Sequence, residues 1–499
     1  MNLEGIINVS GKPGLFKVIS RSSNNVIIES LIEKKRTAIY SHTQANLLDE
    51  IGIYTYNDTI PLSEIFTKIA TKTNCGPSIS HKSSKTELTS YFRDILPEYD
   101  EERVYISDIK KVMKYSQFPY QRINLEEFKR DTQVMINNFN SANSADQQIE
   151  IINNYQSVQK NYHSYGSIAH LNFAKNTKDD KAVKENKYYN EIGPEIAAID
   201  NQFTKAIDAS KFKKELLSEF GEHYFNLISM ELKSFDSKLV SLMKEENELS
   251  NEYRALLAGA EIKYKGKTLN LAGLSPFMQD ISRETRKEAY ELMDGFFKEN
   301  EEKLDSIFDK LVNVRNKKAE VLKFENFIPL GYLNMNRSDY GAAEVSEYRK
   351  QIVKHIVPLV EKINLKRKEI LGYDDMYVYD TLYFKEGNPK PKGGVDFQVA
   401  QAKTMYSELS KETDDFFNMM IDEELMDLDN RAGKSGGGFC TSFPSLERPY
   451  IFANFNGTDH DVTVLTHEAG HAFQCYQSRK QPVNRYLWPT YEACEIHSM

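Results

Sequence analysis

The feature that most constrains this 499-residue chain is a pair of histidines four residues apart, His467 and His471, in the stretch VTVLTHEAGHAFQCY. Residues at i and i+4 lie one above the other on an α-helix, with about 5–6 Å between their Cβ atoms. Two imidazoles in that arrangement can share one zinc ion, and Glu468 stands where it can take a proton from water. The motif therefore predicts a helix that carries two zinc ligands and a general base.

Apolar residues around the motif follow the period of an α-helix and predict its buried face. That face is predicted to comprise Val462, Leu465, Ala469, Phe473 and Tyr476. At 100° per residue, both histidines point roughly away from this stripe. We therefore expect one side of the helix to pack against a core while the other offers ligands to a cleft.

A catalytic zinc site needs a third protein ligand and an open position for water. The pattern with a third histidine six residues after His471 is absent, since Gln477 occupies that position. A carboxylate from a following helix is the usual alternative, and Glu492, Glu495 and His497 all lie in the segment TYEACEIHSM. Spacing alone does not choose among these three residues.

The run GGGFCTSFPSLERPYIFANFNGTDHDVTVLTHEAGHAF, followed by EIHSM, resembles the oligoendopeptidase F branch of the thimet oligopeptidase-like metallopeptidases. The resemblance extends back through LNLAGLSPFMQDISRETRKEAY to about residue 116. It implies a mainly α-helical, zincin-type peptidase that holds one Zn²⁺ per chain. It also implies that Glu495 is the third zinc ligand beside His467 and His471, with Glu468 as the catalytic base.

The same resemblance implies a substrate-binding surface around a small edge sheet at the active-site cleft. The segment RAGKSGGGFC resembles a loop at the rim of the cleft, which assigns Gly437 and Gly438 to substrate binding. Residues 450–456 alternate as a strand, expected to be an edge strand to which a peptide adds as a further strand. Its residues Ala453, Asn454 and Phe455 are therefore predicted to contact substrate.

These features predict a zinc-dependent metalloendopeptidase whose partners are short peptide substrates. Members of the family continue beyond the EIHSM-type motif, whereas this chain stops at Met499. The alternative expectation is therefore a catalytically inactive peptide-binding protein, or a fragment of a split enzyme that is completed by a separate C-terminal fragment.

The domain organisation predicted from the sequence has three parts. Residues 1–115 are expected to form a small β-barrel-like α+β domain, residues 116–275 a helical cap, and residues 276–499 the catalytic region, truncated at its C-terminus. Short β-rich segments separated by turn residues lead the first part. NVSGKPGLFKVISRSS and LPEYDEERVYISDIKKVM resemble a small bacterial domain of unknown function.

Local patterns predict three further features. Ser84 with Glu87 forms a capping box before a helix, and Asn124 caps the helix that follows it. The stretch EIKYKGKTLNL predicts a hairpin that turns near Gly266.

Composition limits the remaining function classes. The net charge of −9 argues against general nucleic-acid binding. No stretch approaches the roughly 20 apolar residues that a membrane span requires, and no secretory leader is evident. The four cysteines include no Cys-x-x-Cys pair, so we expect reduced thiols and a cytoplasmic location.

Overall fold

The computed structural model of the protein describes residues 6–9, 15–21, 25–30, 36–40, 45–47, 52–73, 78–79, 81, 83–115, 120, 122–380, 382 and 384–498. The chain separates into two compact units, Met1–Gln121 and Arg122–Met499. The three-part division predicted from the sequence remains a prediction.

The first unit begins with a five-stranded antiparallel sheet whose strand order is β4-β3-β2-β1-β5. Its strands are β1 (Ile6–Val9), β2 (Leu15–Arg21), β3 (Asn25–Ser30), β4 (Arg36–Tyr40) and β5 (Ala45–Leu47). A separate hairpin pairs β6 (Gly52–Tyr54) with β7 (Thr59–Pro61). The short β-rich segments predicted to lead this part of the chain are therefore confirmed as strands.

Three helices complete the first unit: α1 (Leu62–Lys72), α2 (Lys85–Ile95) and α3 (Ile106–Tyr115). The predicted capping box is confirmed, because the Glu87 N–H donates to Ser84 Oγ and the Ser84 N–H donates to the Glu87 carboxylate. The helices enclose a core in which Leu88 and Phe92 are fully buried. The predicted α+β character of this unit is confirmed.

The second unit opens with long helices. They are α4 (Leu125–Ser141), α5 (Ala145–Lys175), α6 (Asp180–Asp208), α7 (Lys213–Phe220), α8 (Glu222–Ser234) and α9 (Val240–Ala258). The predicted cap at Asn124 is confirmed by the hydrogen bonds its side chain accepts from the next turn. The predicted hairpin is also present, as β8 (Ile262–Tyr264) and β9 (Lys267–Leu269) joined through Lys265 and Gly266, both at positive φ.

Further helices lead towards the histidine motif. They are α10 (Leu271–Met278), α11 (Arg283–Glu299), α12 (Glu301–Val321), α13 (Phe327–Asn334), α14 (Ala342–Gln351), α15 (Val357–Leu371), α16 (Val395–Leu409) and α17 (Lys411–Asp422). A π-helical turn at Ile352–Ile356 joins α14 to α15, and none of the residues from 342 to 371 is buried.

A three-stranded sheet lies next to the motif helix. It consists of β10 (Met426–Asp429), β11 (Phe439–Phe443) and β12 (Arg448–Phe455), followed by α18 (His460–Ser478) and α19 (Tyr491–Cys494). The expectation that residues 450–456 form an edge strand is wrong, because β12 lies in the middle, parallel to β10 and antiparallel to β11. Both hydrogen-bonding edges of β12 are occupied by neighbouring strands, whereas β11 is an edge strand in the described part of the chain.

The architecture as a whole is mainly helical with small sheets, as predicted. Every helix in the described ranges lacks the combination of length and apolar character that a membrane span needs.

Candidate metal centre

Helix α18 carries the histidine motif and packs through a narrow apolar face. Leu465, Ala469 and Ala472 are at most 3% exposed, but Val462, which was predicted to be buried, is 48% exposed. In the first turn of α18 the buried residue is instead the polar Asp461. The buried carboxylate of Asp461 accepts hydrogen bonds from the N–H groups that immediately follow β12, at 2.9 and 2.8 Å. Asp461 therefore takes the inward position that the sequence pattern assigned to its neighbour.

The two histidines meet a single carboxylate. His467 Nε2 lies 3.2 Å from His471 Nε2, and Glu495 Oε2 lies 3.5 Å from the first and 3.7 Å from the second. The imidazole rings are perpendicular, with centroids 4.7 Å apart. The structure thus brings together the three residues that the resemblance named as ligands.

The dimensions of this triangle fit a zinc ion. Zinc bonds of about 2.0–2.2 Å in tetrahedral geometry place neighbouring ligand atoms roughly 3.3–3.5 Å apart, close to the three separations observed. The donor set, two imidazole nitrogens and one carboxylate oxygen, is one that zinc enzymes use. The side chain of Glu495 is 57% exposed and that of His467 36%, so one side of the triangle is open to solvent. The residues present therefore fit a zinc site with an open fourth position.

The other two candidates for a third ligand lie outside the triangle. The carboxylate of Glu492 accepts hydrogen bonds from the guanidinium of Arg337, which also stacks on the ring of Tyr332. The ring of His497 lies with its centroid 5.9 Å from that of His471 and is not part of the group that could hold a metal. Glu492 instead ties the start of α19 to the chain between α13 and α14.

Glu468 is a buried carboxyl beside the triangle. It is 6% exposed, and its Oε2 has no hydrogen-bond partner in the described residues. Burial raises the pKa of Glu468 to about 7, the nearby Glu495 carboxylate adds to the rise, and the backbone N–H of Cys440 opposes it. A carboxyl with a pKa near neutrality can both accept and release a proton, which is the chemistry of a general base that later acts as an acid.

The glycine-rich loop before β11 reaches Glu468 directly. A Cβ atom placed on Gly438 would lie 3.2 Å from Glu468 Oε1, so any larger residue would crowd the carboxyl. Gly437 has φ +83°, a left-handed conformation that favours glycine. Both glycines are exposed and available to a ligand.

The residues of β12 that were assigned to substrate binding lie differently. Ala453 and Phe455 are buried, at 0% and 7% exposure. Asn454 donates from Nδ2 to the carbonyls of Ser435 and Gly437, at 2.8 and 2.7 Å. Asn454 therefore holds the glycine-rich loop in place by hydrogen bonds to two of its main-chain carbonyls.

Lys434 is a residue that the sequence reasoning missed. Its side chain is fully buried, and its Nζ donates to Asp427 Oδ1 at 2.9 Å, to the carbonyl of Asp429 at 2.8 Å and to that of Ala453. Burial lowers the pKa of Lys434 to about 8, and Asp427 opposes that effect. In the sequence it looks like an ordinary lysine of a polar loop, and only its position next to Gly436–Gly438 hinted at a role.

The segment between His471 and Glu495 is held by hydrogen bonds to the long helices of the second unit. The N–H of Asn484 donates to Gln156 Oε1 at 2.7 Å, and its Nδ2 donates to the Gln156 carbonyl at 2.8 Å. The guanidinium of Arg485 pairs with Glu231 and donates to Thr204 Oγ1 at 3.2 Å. Glu495 thus follows a segment held by α5, α6 and α8.

Comparison with known proteins gives matches along most of the chain. The model described as Peptidase family M3 matches residues 277–499, and the Peptidase M3 N-terminal domain matches residues 115–235. Residues 51–117 and 3–48 match two domains of unknown function, DUF6852 and DUF5606.

Individual relatives agree with these matches. The Oligoendopeptidase F homolog of Lactococcus lactis subsp. lactis (strain IL1403) is 23% identical over 281 residues, 55% of this chain. Oligopeptidase PepF of Bacillus subtilis (strain 168) is 22% identical over 372 residues, 68% of this chain. The solved structure of PZ peptidase A with inhibitor 2 is 40% identical, with a TM-score of 0.76, over 77% of this chain and 68% of that one. The chain spans 42% of the Lactococcus relative and 53% of the Bacillus relative.

Proposed function

The chain belongs to peptidase family M3, and from that membership we propose that it is a zinc-dependent metalloendopeptidase that hydrolyses short peptides. The observation that carries the proposal is the triangle of His467 Nε2, His471 Nε2 and Glu495 Oε2 beside the buried carboxyl of Glu468, whose Oε2 has no hydrogen-bond partner in the described residues. A catalytic metal site needs three protein ligands, an open side and a base, and this arrangement supports each of those roles.

In the proposed reaction, the three ligands bind one zinc ion per chain. When bound, zinc supplies a Lewis acid that polarises a carbonyl and makes water more acidic. The Glu468 carboxylate accepts a proton from the attacking water and holds it. It then releases that proton to the nitrogen of the departing amine, which completes the cleavage of the peptide bond.

We propose that the peptide lies along β11 and the glycine loop. β11 is an edge strand in the described residues, so its outer side can form main-chain hydrogen bonds with an extended peptide. Exposed Gly437 and Gly438 allow the peptide backbone to come close to Glu468. Recognition through the main chain gives affinity with little preference for particular side chains, which suits a peptidase acting on short unstructured peptides.

The substitution Glu468→Gln tests this assignment. The amide keeps the size of the side chain but cannot accept the proton, so we expect kcat for a quenched fluorescent peptide to fall at least about 100-fold. Zinc content, measured by mass spectrometry of the purified protein, should remain near one per chain because Glu468 is not a ligand. Glu408→Gln, an exposed glutamate of α16, is the matched control and should retain wild-type activity.

Two results would contradict the proposal. Retained cleavage by the Glu468→Gln protein would remove Glu468 from the mechanism. Wild-type protein that holds zinc but cleaves no peptide would favour the alternative predicted from the sequence, a peptide-binding or split-enzyme fragment.

A further inference from the structure

The glycine within the histidine motif is in direct contact with the segment that carries the third ligand. A Cβ atom placed on Gly470 would lie 2.4 Å from the carbonyl oxygen of His497 and 2.7 Å from Cα of Ser498. Side-chain carbons do not approach other heavy atoms so closely. The main chain of His497 and Ser498 therefore packs directly against the backbone of α18, at a point between the two histidines.

Glycine in the middle of a helix is otherwise unfavourable. It is among the worst helix formers because it loses more backbone freedom on folding than any other residue. Gly470 lies well inside the 19-residue helix α18, and it has helical neighbours on both sides. The close approach of the ligand segment is the feature of this structure that requires a residue without a side chain there.

Ser498 contacts the ligand itself. Its side chain is almost fully buried, at 4% exposure, and its hydroxyl lies 3.0 Å from Glu495 Oε2 and 3.2 Å from the Glu495 carbonyl. The hydroxyl has one proton to donate, and the carboxylate oxygen is a stronger acceptor than the carbonyl, so the hydroxyl donates to Glu495 Oε2. That oxygen is also the one that faces both imidazoles.

Glu495 needs such support because little else constrains it. Its side chain is 57% exposed, and it directly follows α19, a helix of only four residues. An exposed glutamate has three rotatable side-chain bonds. Fixing it in one rotamer costs conformational entropy, and that cost weakens metal binding. A ligand oriented in advance by its neighbours binds metal more tightly.

We propose that Gly470 and Ser498 are positioning residues for Glu495. Gly470 allows the 497–498 backbone to close against α18, and the Ser498 hydroxyl orients the Glu495 carboxylate towards the two imidazoles. This inference rests on the proposed function, since it concerns the affinity of the same site for zinc.

The test measures metal binding directly. Metal-free protein is titrated with Zn²⁺ in competition with a chromophoric chelator, and with Co²⁺, whose visible spectrum reports ligand geometry. We expect Gly470→Ala and Ser498→Ala each to weaken zinc binding roughly 10–100-fold, as loss of groups that orient a ligand usually does. The cobalt spectrum of both variants should differ from that of the wild type.

The controls separate positioning from general stability. Gly295→Ala adds the same methyl group to the interior of α11, where it meets nothing within 4 Å, and should leave zinc affinity unchanged. Ser498→Ala only removes an atom, so it cannot clash, and the Tm of its metal-free form should equal that of the wild type.

Either variant binding zinc as tightly as the wild type, with an unchanged cobalt spectrum, would overturn the role of that residue. Wild-type protein that binds no zinc would instead refute the proposed function.

Discussion

At the scale of single residues, the structure places ionisable groups where their surroundings alter their charge. Asp200 in α6 accepts a hydrogen bond from the hydroxyl of Tyr155 in α5. Burial raises the pKa of Asp200 to about 7, and the nearby carboxylate of Glu231 adds to the rise while Arg485 opposes it. Asp200 is thus largely protonated in the folded protein at mildly acidic pH, when an unfolded chain would have it ionised.

This difference predicts a pH-dependent stability. Because the folded pKa lies above the unfolded value of about 3.9, the contribution is fully present below pH 4 and is lost as the pH rises to about 7. The loss is on the order of 4 kcal/mol at most. We expect the Tm of the wild type, compared with Asp200→Asn at each pH, to fall between pH 4.5 and 7.5. Parallel Tm profiles of the two proteins would contradict the assignment to Asp200.

Residues of the candidate site were predictable to different extents. The spacing of His467, Glu468 and His471 is local, so a helix fixes their relation and the sequence suffices. Glu495 could not be chosen from spacing, because its distance from the rings depends on a segment held by long-range contacts of Asn484 and Arg485.

At the scale of elements, the three-stranded sheet was the least predictable part. β10 has the sequence MDLD, which lacks the apolar run of a buried strand, and its parallel pairing with β12 is non-local. The expectation of an edge strand at residues 450–456 came from the family resemblance, and the pairing with β10 overturns it. The pairing is also irregular between Asp427 and Asp429, where Lys434 supplies hydrogen bonds from its buried ammonium group.

We therefore predict that Lys434→Met destabilises this sheet. The variant leaves the carbonyls of Asp429 and Ala453 without their buried donor, while Arg431 still pairs with Asp427, so we expect a cost of about 1–3 kcal/mol. The expected result is a Tm several degrees lower and faster proteolysis of the glycine loop. Lys411→Met, whose lysine side chain is 81% exposed, is the control and should leave both properties unchanged. An unchanged Tm for Lys434→Met would show that the sheet does not depend on this ammonium group.

At the scale of the whole molecule, the helical segment 342–371 is unusual because none of its residues is buried. Apolar side chains there are strongly exposed, including Val353 at 65%, Leu359 at 53% and Ile363 at 48%. Contiguous apolar surface on a soluble protein favours association. Burial depends on neighbouring elements, which helical periodicity in a sequence does not report.

We predict that this surface makes the 499-residue chain associate non-specifically as its concentration rises. Changing Val353, Leu359 and Ile363 together to Gln should reduce that association without lowering the Tm, because these side chains are not part of a core. Light scattering over a concentration series measures the first effect and a thermal melt the second. Val134→Gln, an exposed apolar residue of α4, is the control and should not change the association. Unchanged association of the triple variant would contradict the prediction.

The central place of β12 has a consequence for the order in which the protein assembles. In the described residues β10 and β11 pair with β12 and not with each other, so neither strand has a sheet neighbour until residues 448–455 have been synthesised. Helix α18 begins only five residues later, at His460. The sheet and the histidine helix are therefore completed nearly together, because only residues 444–447 separate β11 from β12 and α18 follows β12 closely. The sheet and the helix that carries His467 and His471 are then expected to form as one unit during the folding of this chain.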